Sequence, residues 1–265
     1  AGCTVILKPA EQTPLTALIL GELALEAGIP PGVVNVLTGH GETTGQAIVD
    51  HPGIHKIAFT GSEEVGKLIA GRGAAHLKHV SLELGGKNPN VIFADADIEA
   101  AATTAAMAIF FYSGQVCSAG SRLLVEEAVY DRVAEIVVAE AEKLKLGHGL
   151  AADTTMGPLV SKEQLARVEG YVDTARSEGV EISIGGDRPN GDLASGHFLT
   201  PTVLTGVPDE SRVAREEIFG PVLAIQRFGD VGELVRRANA NTFGLSAGVW
   251  TRDVRKAHSV AAALE

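Results

Sequence analysis

Residues 80–93 read Val80-Ser81-Leu82-Glu83-Leu84-Gly85-Gly86-Lys87-Asn88-Pro89-Asn90-Val91-Ile92-Phe93. Two short strand patterns stand here on either side of a glycine pair. Alternation with period two puts Val80, Leu82 and Leu84 on one face of the first and Ser81 and Glu83 on the other. Val91-Ile92-Phe93 begins a second series of elements, so Gly85-Gly86 reads as a hinge between a part spanning residues 1–86 and a part spanning 87–265.

Working upstream, residues 15–27 predict a helix. Thr13 is placed to cap it, Pro14 to occupy its first turn, and Gly28 to stop it, while Leu15, Leu18, Ile19 and Leu23 recur at helical spacing. Strand patterns at 33–37 and 54–59 are each followed by a glycine turn and a helix, the second helix covering 63–70. Downstream, helices are predicted at 98–111, 129–144, 162–177 and 231–238, with strands at 122–125, 180–184, 222–225 and 245–251. A final helix follows. Strands alternating with helices at this pitch predict an α/β fold with parallel sheets.

The composition narrows the function. The chain has 265 residues, is 45% apolar, and carries 22 Lys+Arg against 33 Asp+Glu, a formal charge of −11. That length allows one large domain or two ordinary ones, and the apolar content excludes a disordered chain. An acidic balance disfavours nucleic acid, whose phosphates call for clustered Lys and Arg. The longest mostly apolar stretch, 100–111, falls short of the about 20 residues of a spanning helix. Two cysteines, Cys3 and Cys117, suit a reducing compartment. With no basic, apolar leader in the sequence, a cytoplasmic location is expected. Both ends read as cut.

A few positions carry candidate chemistry. Cys117 lies in Ser113-Gly114-Gln115-Val116-Cys117-Ser118-Ala119-Gly120-Ser121, a small and polar loop between a helix and a strand. Such a setting gives a thiol the partial exposure that nucleophiles need. Cys3, in an apolar run, reads as a buried small hydrophobe. Glu83 ends a strand just before two glycines, where open α/β sheets place ligands, and a carboxylate there can act as a general base. Gly39-His40-Gly41-Glu42-Thr43-Thr44-Gly45 misses the dinucleotide G-x-G-x-x-G spacing by one residue. Gly61-Ser62 opens a helix and can offer N–H groups and a hydroxyl to a pyrophosphate. His51, His55, His76 and His79 lack ligand partners at metal spacing and read as surface residues, so no metal is expected.

Taken in order, these segments resemble the aldehyde dehydrogenase superfamily. The resemblance rests on Leu7-Lys8-Pro9-Ala10-Glu11-Gln12-Thr13-Pro14, Phe59-Thr60-Gly61-Ser62, Leu82-Glu83-Leu84-Gly85-Gly86-Lys87-Asn88-Pro89 and Gly114-Gln115-Val116-Cys117-Ser118-Ala119-Gly120-Ser121-Arg122. It continues through Met156-Gly157-Pro158-Leu159-Val160, Glu216-Glu217-Ile218-Phe219-Gly220-Pro221 and Asn241-Thr242-Phe243-Gly244-Leu245. The implied fold is a partial Rossmann-like cofactor-binding sheet (1–86) followed by a catalytic α/β domain (87–265).

The implied activity is NAD-dependent oxidation of an aldehyde. Cys117 matches the family's nucleophile and Glu83 the base that activates water. Lys8, Glu11, Gly61, Ser62, Leu84, Gln164, Arg167, Glu217 and Phe219 match cofactor contacts. The backbone N–H of Cys117 would form half of an oxyanion hole, and Tyr112 and Val116 are candidate walls of an aldehyde tunnel. NAD is expected over NADP, because Glu11 would repel a 2′-phosphate. The resemblance also implies a small-molecule aldehyde substrate and a homo-oligomeric complete protein. Two rival readings are a non-catalytic piece that binds nucleotide and a thiol esterase without hydride transfer.

Overall fold

The computed structural model describes residues 2–265. The chain divides into two compact units, Ala1–Leu84 and Gly85–Glu265.

In the first unit, β1 (Val5–Leu7) pairs in parallel with β2 (Val34–Val36), and α1 (Leu15–Glu26) lies between them in the chain. A π-helical turn at Gly41–Gly45 leads into α2 (Gln46–Asp50). Then β3 (Lys56–Thr60) pairs in parallel with β4 (His79–Glu83) across α3 (Glu63–Ala75). The strands are parallel as expected, but among the described residues they form two separate pairs rather than one sheet. The apolar centre is small and belongs to the β3–β4 pair with α2 and α3, built on Val49, Ile57 and Ile69 with Ile54, Phe59, Val80 and Leu82 around it.

Two expectations for α1 need correction. Thr13 does not cap it: Pro14 is the cap residue, no side chain bonds the first turn, and the Thr13 N–H donates to the Ala10 carbonyl in a tight turn. The spacing of Leu15, Leu18, Ile19 and Leu23 also does not bury a stripe, since no residue of α1 is buried. Leu20 and Leu25 make the helix apolar on all sides, so the periodicity singles out no face. By contrast α3 runs five residues past its predicted end at 70. Ser62 caps it, its Oγ accepting from the Val65 N–H at 3.3 Å, and Gly73 keeps the last turns pressed on β4. A Cβ at Gly73 would stand 2.6 Å from the Val80 side chain.

The second unit has one six-stranded sheet in the order β10-β5-β6-β9-β8-β7. Its strands are β5 (Pro89–Ile92), β6 (Arg122–Glu126), β7 (Glu181–Ile184), β8 (Thr202–Thr205), β9 (Val222–Phe228) and β10 (Gly248–Trp250). All pairings are parallel except β7 with β8, which departs from the all-parallel expectation. β8 is also unforeseen, because Thr202 and Thr205 bracket only two apolar residues. The helices are α4 (Ile98–Phe110), α5 (Tyr130–Glu142), α6 (Lys162–Ser177), the one-turn α7 (Arg212–Arg215), α8 (Val231–Ala238) and α9 (Val254–Ala263).

Both faces of the sheet are covered. Successive residues of β6 alternate between cores: Leu123 and Val125 pack with α4 and α5, and Leu124 packs with Phe93, Phe228, Leu234 and Val260. A third cluster sets α6 and α7 against Leu204, Val222 and Ala224. Such a strand, buried on both faces, holds its ends in place, and the loops entering the sheet inherit that rigidity.

Candidate active site

In the first unit the candidate residues gather at the C-terminal ends of parallel strands. Lys8 follows β1, and its Nζ donates to the Pro9 carbonyl (2.7 Å), the Gly39 carbonyl (2.9 Å) and Glu11 Oε1 (3.1 Å). Glu11 Oε1 also accepts from the Gly41 N–H at 2.7 Å. Bonds from its own backbone and from Lys8 hold the Glu11 carboxyl below the usual range, so it is an ionised acceptor at neutral pH. A cleft of about 210 Å³ opens here between Pro9, Ala10, Glu11, Pro14, Thr38, Gly39 and His40.

Gly61 and Ser62 follow β3. The Gly61 N–H donates to the Glu83 carbonyl at 3.1 Å, tying the two strand ends together. A Cβ at Gly61 would meet the Phe59 ring, so the turn is made for glycine. The Leu84 side chain packs on α3 where Gly66 leaves room. Glu83 itself is exposed on the polar face of β4, opposite the half-buried Val80 and Leu82, as the alternation requires.

In the second unit the candidates gather at the opposite, N-terminal ends of the strands, in the segments that enter β5, β6, β9 and β10. Cys117 is half-buried in the loop leading into β6, and Cys3 is exposed rather than buried: it precedes β1, a strand whose own Val5 and Ile6 are exposed. The Cys117 loop is braced from several sides. Asn88, buried just before β5, donates from Nδ2 to the Cys117 carbonyl (2.8 Å) and the Ala119 carbonyl (3.0 Å). Its Oδ1 accepts from the Ser246 N–H at 3.0 Å, ahead of β10. A Cβ at Gly86 would sit 2.7 Å from the Cys117 carbonyl, so only glycine lets that carbonyl approach.

Further back, Ser113 Oγ donates to the Gly157 carbonyl (2.8 Å), and Gln115 Oε1 accepts from the Val160 N–H (2.9 Å). Gly114, at φ 70°, is pressed on the Gly220 backbone, where a Cβ would collide. Tyr112 is 71% exposed in a left-handed conformation, while Val116 packs partly into the α4–α5 core.

Glu217 and Phe219 enter β9. Glu217 Oε1 accepts from the Gly86 N–H at 3.2 Å, and burial pushes its carboxyl up from the usual value. Gln164 and Arg167 come together with them, but through backbone: Gln164 Nε2 donates to the Ile218 (3.2 Å) and Phe219 (2.8 Å) carbonyls, and Arg167 Nη2 to the Glu217 carbonyl (2.9 Å). Their side chains thus hold the chain that carries Glu217 and Phe219.

Sequence reasoning missed Asn88, Tyr171, Glu216 and Lys87. Lys87 is fully buried, its Nζ has no partner among the described residues, and burial with Arg122 nearby lowers it to about 7. The motif containing Lys87 and Asn88 marked them as belonging together without revealing where they point. The four histidines His51, His55, His76 and His79 are exposed, and no cluster of three or more metal-ligating side chains occurs among the described residues. No helix there is long and apolar enough to cross a membrane.

The profile described as "Aldehyde dehydrogenase family" matches residues 1–265. Aldehyde dehydrogenase 1A1 of Oryctolagus cuniculus is 49% identical over 265 residues, all of this chain and 53% of that protein. The protein of Rattus norvegicus named "Aldehyde dehydrogenase, cytosolic 1" is 48% identical over the same span, 52% of its length. Among solved structures, an aldehyde dehydrogenase variant from Bacillus cereus matches with TM-score 0.96 and 47% identity, covering 99% of this chain and 53% of that one. A betaine aldehyde dehydrogenase variant from Staphylococcus aureus in complex with NAD+ matches with TM-score 0.96 and 42% identity, covering 99% and 53%. The fold is α/β, and these matches are to oxidoreductases. The chain belongs to the aldehyde dehydrogenase family. It spans about half the length of the relatives it matches.

Proposed function

We propose that the protein containing this chain oxidises an aldehyde to a carboxylic acid with NAD as hydride acceptor. The observation that carries the reading is the braced Cys117 loop, a half-buried thiol whose backbone is fixed by Asn88 and Gly86. Cys117 Sγ adds as thiolate to the aldehyde carbonyl and gives a thiohemiacetal. The Cys117 N–H donates to the developing oxyanion. A bound NAD would supply the hydride acceptor, and loss of hydride from the Cys117 adduct leaves a thioester. Glu83 then takes a proton from water, the hydroxide adds to the thioester, and Cys117 leaves as thiolate.

The residues of the first unit fit a dinucleotide. Glu11 is an ionised acceptor beside a cleft, suited to ribose hydroxyls, and Ser62 caps a helix whose N-terminus suits a pyrophosphate. Lys8 pairs with Glu11 and donates to two backbone carbonyls, so its ammonium offsets part of the Glu11 charge. The ionised Glu11 carboxylate remains an acceptor for a free 2′-hydroxyl, which supports NAD over NADP. Leu84 and Gly61 shape the strand ends around this surface. In the second unit, Glu217 and Phe219, steadied by Gln164 and Arg167, would face the nicotinamide end.

Residues 1–86 are then the cofactor-binding part and 87–265 the catalytic part, with Tyr112 and Val116 toward the aldehyde. A cytoplasmic homo-oligomer is the proposed setting, the location supported by the relative named as cytosolic. Incubation of the full-length protein with an aldehyde and NAD, followed by absorbance of the reduced cofactor, tests the reading. Ester cleavage without any reduced cofactor would favour the thiol esterase alternative.

A further inference from the structure

Helix α6 presents Gln164, Arg167, Val168 and Tyr171 at the spacing of one helical face, and all four bear on the strap 216–220 that enters β9. Gln164 and Arg167 hold its carbonyls, as above. Val168 packs against Gly220 so closely that a Cβ there would lie 2.5 Å from Val168 Cγ2. Tyr171 donates its hydroxyl to Glu216 Oε2 at 2.8 Å. The same carboxylate receives a two-pronged bond from Arg212, Nε to Oε1 at 2.8 Å and Nη2 to Oε2 at 2.7 Å. The guanidinium groups of Arg212 and Arg167 lie 5.2 and 5.8 Å from the centre of the Tyr171 ring.

At the far end of the strap Phe219 has φ 59°, a left-handed conformation that costs a non-glycine residue free energy and persists only where neighbours impose it. The strap is therefore pinned before Glu217, at Glu217 and after it. Bidentate arginine–carboxylate pairs are the more directional kind of ion pair, and the phenol adds a third charge-assisted bond to the same group.

We propose that Tyr171 and Arg212, acting through Glu216, are positioning residues that hold the 216–220 strap in its strained conformation and so set where the Glu217 carboxylate and the Phe219 ring meet a dinucleotide. The proposal rests on the cofactor reading given above. Neither side chain hydrogen-bonds the thiol loop, which the strap meets at its far end where Gly220 lies against Gly114, so the larger effect falls on cofactor binding and the smaller on thiol chemistry.

The test uses full-length protein with Tyr171→Phe, Arg212→Met and Arg212→Lys. Three quantities are measured: the Kd for NAD by calorimetry, the hydrolysis rate of p-nitrophenyl acetate without NAD, and amide exchange in residues 216–220. Tyr171→Phe and Arg212→Met should weaken NAD binding about tenfold, the scale of one lost bond to a charged group, and speed exchange across the strap. Ester hydrolysis should stay within about twofold, and Arg212→Lys should fall between wild type and Arg212→Met, because lysine keeps the charge but not the two-pronged geometry. Unchanged exchange would show that the strap is not held this way. Faster exchange with an unchanged Kd would reduce the cluster to a structural role, and a parallel loss of ester hydrolysis would point to general misfolding; each of these overturns the proposal. A wild-type protein that binds NAD but oxidises no aldehyde would defeat the proposed reaction while leaving this test intact.

Discussion

The two units place their candidate chemistry at opposite ends of their strands. In the first, Lys8, Glu11, Gly61, Ser62 and Glu83 lie at or just past C-terminal strand ends, the usual address for ligands in open α/β sheets. In the second, Asn88, Cys117, Glu217 and Phe219 lie in segments that enter the sheet. The first unit has a small core and presents a few polar groups at its strand ends, which suit an extended ligand. The second has a sheet covered on both faces and a thiol loop cross-braced by buried side chains, which suits covalent chemistry that needs fixed geometry. Position on a strand is therefore a poor guide to function unless the kind of sheet is known.

The sharpest way to break this division is at the thiol. Cys117→Ala should abolish aldehyde oxidation and ester cleavage, by roughly 1,000-fold or more, while Cys3→Ala leaves both rates near wild type. Equal losses would dissolve the contrast between a braced thiol and an exposed one. On the other unit, Glu11→Ala should weaken NAD binding about tenfold and narrow the preference for NAD over NADP, measured as the ratio of kcat/KM for the two cofactors. An unchanged ratio would move cofactor selection away from the β1–β2 strand ends.

The bracing itself is open to measurement. Asn88→Ala leaves the Cys117 and Ala119 carbonyls without their donor, and should cost about 2 kcal/mol of stability in denaturant unfolding. It should also slow alkylation of Cys117 by iodoacetamide less than it slows turnover, since the loop loosens without losing its thiol.

The smallest effect expected comes from Lys87, whose pKa is lowered to about 7 in the folded unit by burial and by Arg122. Between pH 7 and the ordinary lysine value near 10.5 the unfolded chain holds the extra proton. Stability from this group therefore rises with pH across that window and is least below it. Lys87→Met should accordingly raise the melting temperature more at pH 6 than at pH 9. A variant with the same increment at both would show that Lys87 stays charged when folded.

Much of this was legible in residue patterns, and the failures share a cause. The bounds of α6 and α8 match the predicted 162–177 and 231–238, and the structure shows Ser161 and Asp230 as the side-chain caps that begin them. The polar face of β4, with Glu83 on it, follows from alternation alone. What the patterns do not carry is decided by partners distant in sequence. The separation of the first unit's strands into two pairs, the antiparallel β7–β8 edge and the exposure of α1 are of this kind. So are the side chains of Gln164 and Arg167, which hold backbone carbonyls 50 to 55 residues away along the chain. Motifs name the residues of a site; tertiary contacts decide which ones touch a ligand and which hold the others in place.

The central claim is a division of labour, with Cys117 of the second unit acylated and Glu83 of the first releasing the acid. Rapid mixing of full-length Glu83→Gln protein with aldehyde and NAD tests it directly. The account predicts a burst of about one reduced cofactor per Cys117, followed by turnover slowed about 100-fold or more as the thioester accumulates. Loss of the burst, or steady turnover at the wild-type rate, would contradict it.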